Sequence, residues 1–240
     1  MTQLVFLHGW AQSQQIWYQQ QQQFAGARFI NLPGHGGAKD APAAAWPDLL
    51  AAQLPDEPCT LVGWSLGGML AMEIAQRFPG RVAALALIAT TPRFAAAEAW
   101  LHGCDQAILA AFEEAVASAS PRALNRFFAL MLHGDALSRS DYNQLARQAV
   151  DRTHPVTAAG LAAGLELLAT MDLRHRLPPA DMPLLIMHGE QDAIVPVAAG
   201  RWLAEQLPAA HVHFADACGH APFLSSPHRF NTILKEWWQQ

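Results

Sequence analysis

Gly63-Trp64-Ser65-Leu66-Gly67 sets one serine between two glycines, with an apolar run before it and a helical pattern after it. Cys59-Thr60-Leu61-Val62 reads as a buried parallel strand, and Leu66 to Ala75 reads as the helix that follows. Ser65 is therefore predicted to sit on a nucleophile elbow. Such a turn is sharp and strained, leaves no room for side chains two positions to either side, and lifts Oγ toward a base. A serine hydroxyl is a weak nucleophile at neutral pH, so the elbow needs a histidine base and an acid to orient it.

Both lie downstream. Leu184-Leu185-Ile186-Met187-His188-Gly189-Glu190-Gln191-Asp192 reads as a buried strand running into a loop, with Asp192 just beyond the strand end. His211 to Phe214 reads as another strand, and in the loop after it Gly219 frees the backbone to present His220. Ser65, Asp192 and His220 are the expected nucleophile, acid and base. Glu190 and Asp216 are rival acids on the same loops, and Asp192 could instead cap the helix that follows it. For the developing oxyanion, one expected donor is the backbone N–H of Leu66, directly after the nucleophile, and the other is that of Trp10 in His8-Gly9-Trp10. His8 is expected to pack under that loop and His188 to mark a strand end. Cys218 stands two residues before the base, so its modification is expected to disturb His220.

Six runs read as strands: Leu4 to Leu7, Arg28 to Leu32, Thr60 to Gly63, Val82 to Ile88, Leu184 to Met187 and His211 to Phe214. Helical patterns separate most of them, which predicts an α/β fold with a mostly parallel, doubly wound sheet of about six strands. Between Ile88 and Leu184 the period is helical, as in Ala107 to Ala117, Pro121 to Leu132 and Asp141 to Val150. The expected organisation is a core of residues 1–91 and 183–240 and a helical cap of 92–182 over the carboxyl ends of the strands, where such sheets place their sites.

Composition narrows the classes. The 240 residues are 52% apolar and 15% charged, which fits one compact domain and excludes a disordered chain. A net charge of −5 argues against nucleic-acid binding, and no apolar run is long enough to span a bilayer. The N-terminus shows no basic leader ahead of Leu4, and the three cysteines have no metal-ligand spacing, so a cytoplasmic location without a metal is expected. Only two lysines are present, Lys39 and Lys235, whereas five arginines fall between Arg122 and Arg152 in the expected cap.

His8-Gly9-Trp10, the elbow, Gly189-Glu190-Gln191-Asp192 and Gly219-His220-Ala221-Pro222-Phe223, in that order, resemble the α/β-hydrolase superfamily over nearly the whole chain. Trp10, Trp64, the Ala221-Pro222-Phe223 run and the cap segments Arg122 to Leu130 and Gly164 to Arg174 are similar to one carboxylesterase family within it. That family removes the methyl ester from pimeloyl-[acyl-carrier protein] in biotin synthesis. The resemblance implies hydrolysis through an acyl-enzyme, with the free acid and methanol as products and no enzyme-bound cofactor. It implies acyl carrier protein as partner, and neither nucleic acid nor membrane. It carries the family's carrier-binding arginines onto Arg122, Arg126 and Arg139; the next basic position falls on Asn143, with Arg147 one turn further as its substitute. The acyl chain is expected against Trp10, Trp64 and Phe127, and the protein is expected to be a monomer. Superfamily members usually begin with two strands that have no room here, hence the expectation of a trimmed sheet. The alternative is a general short-chain carboxylesterase or thioesterase of the same fold without a carrier partner.

Overall fold

The computed structural model describes residues 1–104, 106–118 and 121–240. Six strands, β1 (Leu4–Leu7), β2 (Arg28–Ile30), β3 (Cys59–Trp64), β4 (Val82–Ile88), β5 (Leu184–Gly189) and β6 (His211–Ala215), form one sheet in the order β2-β1-β3-β4-β5-β6. Every pairing is parallel. All residues of β1, β3 and β5 are buried, which is why these strands read as continuous apolar runs rather than alternating ones.

Ten α-helices lie among the described residues: α1 (Tyr18–Gln23), α2 (Trp46–Ala51), α3 (Leu66–Arg77), α4 (Gln106–Ser118), α5 (Pro121–Met131), α6 (Arg139–Ala149), α7 (Ala158–Thr170), α8 (Val197–Gln206), α9 (Pro222–Ser225) and α10 (Pro227–Trp238). Right-handed crossovers in this strand order put α2 and α3 on one face and α1 on the other. The contacts agree: α2 packs on α3, and α1 on α9 and α10.

The strand bounds differ from the sequence reading in instructive ways. Strand β2 stops at Ile30 rather than Leu32, because the Leu32 N–H leaves the ladder and donates to His8 Nε2 at 3.0 Å. Strand β5 runs on to Gly189, paired through Gly189↔Ala215.

Helices α4 to α7 all lie between β4 and β5. The chain is pinched where it leaves and rejoins the core: Arg93 and Asp172 form an antiparallel bridge, and Leu173 N–H donates to Pro92 O at 2.8 Å. Asp172 accepts from Arg93 at 2.6 Å and from Arg174 at 2.7 Å. Hydrogen bonding to Arg174 and Arg93 outweighs desolvation and holds the Asp172 carboxyl well below the usual carboxylate range. The strand order reverses between β1 and β3, so the loops after these strands diverge and open a crevice at their carboxyl ends.

Candidate active site

Ser65 lies at the joint of β3 and α3 with φ 55° and ψ −121°, a conformation that costs a non-glycine residue roughly 1–3 kcal/mol. The end of β4 braces it. Ser65 N–H donates to Ile88 O at 3.0 Å, and Thr90 Oγ1 donates to Ser65 O at 2.7 Å. Both glycines of the motif are sterically required. A Cβ at Gly63 would come within 2.5 Å of Gly67 O, and one at Gly67 within 2.4 Å of Leu7 O.

His220 is fully buried, and its Nδ1–H donates to Asp192 Oδ2 at 2.7 Å. Asp192 uses its oxygens separately: Oδ1 accepts the N–H groups of Ile194 and Val195, both at 2.9 Å, while Oδ2 faces the histidine. Loop capping and orientation of the imidazole are thus done by one carboxylate. The rival acids point elsewhere, Glu190 to Arg201 and Asp216 to solvent.

A second histidine reaches the same oxygen. His188 Nε2 lies 3.1 Å from Asp192 Oδ2 and 2.9 Å from Val195 O. Both are acceptors, so Nε2 carries the proton. Burial alone would raise the Asp192 pKa, but the two imidazoles outweigh it and hold the carboxyl well below its usual range. The sequence reading of His188 as a strand-end marker missed this contact; its one signal was the four-residue spacing to Asp192.

On the other side of the serine, Leu66 opens α3, so its N–H is one of the amides a helix leaves without an internal acceptor. The loop carrying Trp10 is anchored three times. Trp10 Nε1–H donates to Leu161 O of α7 at 2.9 Å, Ala11 N–H to His35 Nε2 at 3.3 Å, and His8 Nε2 accepts from Leu32 as above. The Nδ1 atoms of His8 and His35 each donate to a backbone carbonyl at 2.8 Å. Both rings are therefore held neutral. Burial, joined by repulsion between them, lowers His8 to about 3, and burial lowers His35 to about 4.

Three rings meet beside this loop: Trp10 with Phe127 at 5.2 Å, Trp10 with Phe112 at 5.1 Å, and Phe112 with Phe127 at 5.0 Å. Trp64 is not among them. Its ring packs on Phe223, Trp17 and His220, and its Nε1–H donates to His220 O at 2.8 Å. The expected wall of the acyl site is thus a support for the histidine loop, since neighbours at a strand end face opposite ways. Phe112 was missed because its ring sits in an Ala-rich helix with nothing local to distinguish it.

Four arginines of the segment between β4 and β5, Arg122 and Arg126 on α5 and Arg139 and Arg147 on α6, are exposed. Of the acids in the same segment, Asp135 accepts from Gly219 N–H, Asp141 from Ser138, and Asp151 from the N–H groups of Thr153 and His154. Arg147 Nε–H donates to Asn143 O at 3.1 Å.

Cys218 departs from expectation. It is buried beside Ser225, and burial, followed by the Asp135 carboxylate, pushes its thiol up to about 12. A thiol so protected is not a reactive handle on His220. Among the described residues no group of three or more His, Cys, Asp and Glu side chains is placed to hold a metal ion.

Comparison with known proteins adds identity to this geometry. The alpha/beta hydrolase fold family matches residues 2–227. A pimeloyl-[acyl-carrier protein] methyl ester esterase from Aromatoleum aromaticum is 40% identical over 243 residues, spanning 97% of this chain and 96% of its own. A protein of the same name from Nitrosomonas europaea is 37% identical over 95% of this chain and 92% of its own. Among solved structures, an esterase from Exiguobacterium antarcticum aligns with a TM-score of 0.86 over 100% of this chain and 92% of its own, at 22% identity, a likeness of fold.

Proposed function

The chain belongs to the α/β-hydrolase family and, within it, to the pimeloyl-[acyl-carrier protein] methyl ester esterases, and from that premise we propose how its residues hydrolyse such an ester. The protein is a carboxylic ester hydrolase. Ser65 Oγ attacks the ester carbonyl while His220 Nε2 takes its proton. Asp192 holds the opposite ring edge and stabilises the imidazolium. The N–H groups of Leu66 and Trp10 receive the oxyanion. His220 then protonates the departing methoxide, and water repeats the sequence on the acyl-enzyme to release the free acid, still joined to its carrier. The observation that carries this reading is the His220–Asp192 hydrogen bond at 2.7 Å on a loop tied to the elbow through Trp64.

The chain of methylenes between the ester and the carrier is read as lying along Trp10, Phe112 and Phe127, between the sheet and the cap of residues 92–182. Acyl carrier protein is acidic and its arm bears a phosphate, so Arg122, Arg126, Arg139 and Arg147 are read as its docking surface. A monomer in the cytoplasm is the setting this reading takes; the three cysteines are free thiols, as a reducing compartment favours, and no helix among the described residues is long and apolar enough to cross a membrane.

The test is a pair of substrates. Replacing Arg122 and Arg126 by Glu is expected to lower kcat/KM for the carrier-bound methyl ester at least roughly tenfold and to remove most of its salt dependence. Hydrolysis of a small neutral ester is expected to change little. Equal loss on both substrates would make the arginines structural and favour a general esterase.

A further inference from the structure

The histidine loop leaves β6, a strand at the edge of the sheet, and reaches His220 through Ala217 at φ 49°. The loop after β5 holds one carbonyl of the histidine loop, with Gln191 N–H donating to Cys218 O at 2.9 Å. Two consecutive backbone donors on it turn instead to the inserted helices: His220 N–H donates to Met131 O at 2.9 Å, and Gly219 N–H to Asp135 Oδ1 at 3.0 Å. Met131 is the last residue of α5, where helix carbonyls lack internal donors, and Asp135 follows in the turn before α6. The approach is close enough that a Cβ at Gly219 would stand 2.5 Å from His133 O. With the Trp64 indole on its carbonyl, His220 is gripped at both ends of its own backbone.

We propose that Asp135 is a positioning residue: together with the Met131 carbonyl, its carboxylate holds the backbone of Gly219 and His220, so the base stands where the inserted helices put it. This rests on the reading of His220 as the base. The Asp135 side chain is half-buried, and burial pushes its carboxyl up, against the hydrogen bond from Gly219. Such a group is retained at a cost, and what it supplies is an acceptor for a loop amide that the core does not reach. Because α5 also carries Arg122 and Arg126, a carrier seated on those arginines bears on the helix whose last carbonyl holds the base.

The experiment uses the full-length enzyme and a small neutral ester, which needs no docking. Asp135→Ala is expected to lower kcat about ten- to a hundredfold with KM within about twofold, the size expected of a misplacement on the order of 1 Å. Asp135→Asn, whose amide oxygen keeps the acceptor, is expected to restore most of kcat. Amide hydrogen exchange at Gly219 and His220 is expected to quicken in the Ala variant and return toward the parent rate in the Asn variant, a readout that global unfolding would spread over the whole chain. Unchanged kcat in Asp135→Ala, or equal loss in the Ala and Asn variants, would overturn the proposal. His220→Ala measured alongside separates the two readings: if it stays active, His220 is not the base, whereas an inactive His220→Ala beside a fully active Asp135→Ala removes only the positioning role.

Discussion

His220 Nδ1 stands 2.7 Å from Asp192 Oδ2, while Nε2 on the opposite edge of the same buried ring meets no hydrogen-bond partner among the described residues. One edge of the imidazole is fixed and the other is left for chemistry. A buried nitrogen without a partner costs free energy in the resting protein, and in the proposed mechanism it takes the proton of Ser65.

The acid is expected to act through this tautomer. Asp192→Asn is expected to lower kcat by about three to four orders of magnitude with little change in KM, because an amide in that place stabilises the wrong tautomer and no imidazolium. Glu190→Gln is expected to stay within a few-fold of the parent, since Glu190 faces Arg201. Steady-state kinetics on both variants decide it, and a crippled Glu190→Gln beside a healthy Asp192→Asn would reassign the acid.

The paired histidines under the Trp10 loop make stability depend on pH. Each is neutral when folded, with its pKa lowered to about 3 in His8 and about 4 in His35, and each takes up a proton near pH 6.5 when unfolded. Between about pH 6.5 and those folded values the unfolded state binds more protons, so their contribution is fully present above the unfolded pKa and is lost as pH falls. The limiting slope is about 1.4 kcal/mol per pH unit for each ring. His35→Gln is therefore expected to have a lower Tm at pH 7, through lost packing, but a flatter fall of Tm from pH 6.5 to 4.5. A slope as steep as the parent's would show that His35 is not one of the titrating groups.

The ring triangle is expected to read acyl length. Phe127→Ala or Phe112→Ala should raise KM several-fold for esters of longer chains and leave acetate esters nearly unchanged, because the lost contacts lie along the methylenes and not at the carbonyl. A series of p-nitrophenyl esters of increasing length measures this directly. Equal effects at every length would assign both rings to the core alone.

Much of the candidate site was legible in the sequence, for a local reason. Ser65, Asp192 and His220 each follow a strand end, and glycines mark the elbow and the histidine loop, so pattern and backbone freedom point to them as candidates without tertiary information. What the sequence hid depends on distant partners. Asp135 meets Gly219 across 84 residues, and the Trp10 indole meets Leu161 across 151. Trp64 was read onto the acyl wall because it adjoins Ser65, whereas its ring packs against the histidine loop, and Cys218 was read as open to modification, whereas its loop folds inward against Ser225. The sheet followed the same rule. Its six strands were readable from their apolar runs, while the end of β2 was set by a histidine ring from another segment.

The most direct test of the whole account is turnover of pimeloyl methyl ester carried on acyl carrier protein, followed by intact mass of the carrier, with parent enzyme and Ser65→Ala in parallel. The parent is expected to convert the carrier species to one lighter by a single CH2, the change from methyl ester to acid, with the thioester preserved. Ser65→Ala is expected to leave the ester in place over the same time at the same enzyme concentration. Conversion at a near-parent rate by Ser65→Ala, or release of the acyl chain from the carrier by the parent, would contradict it.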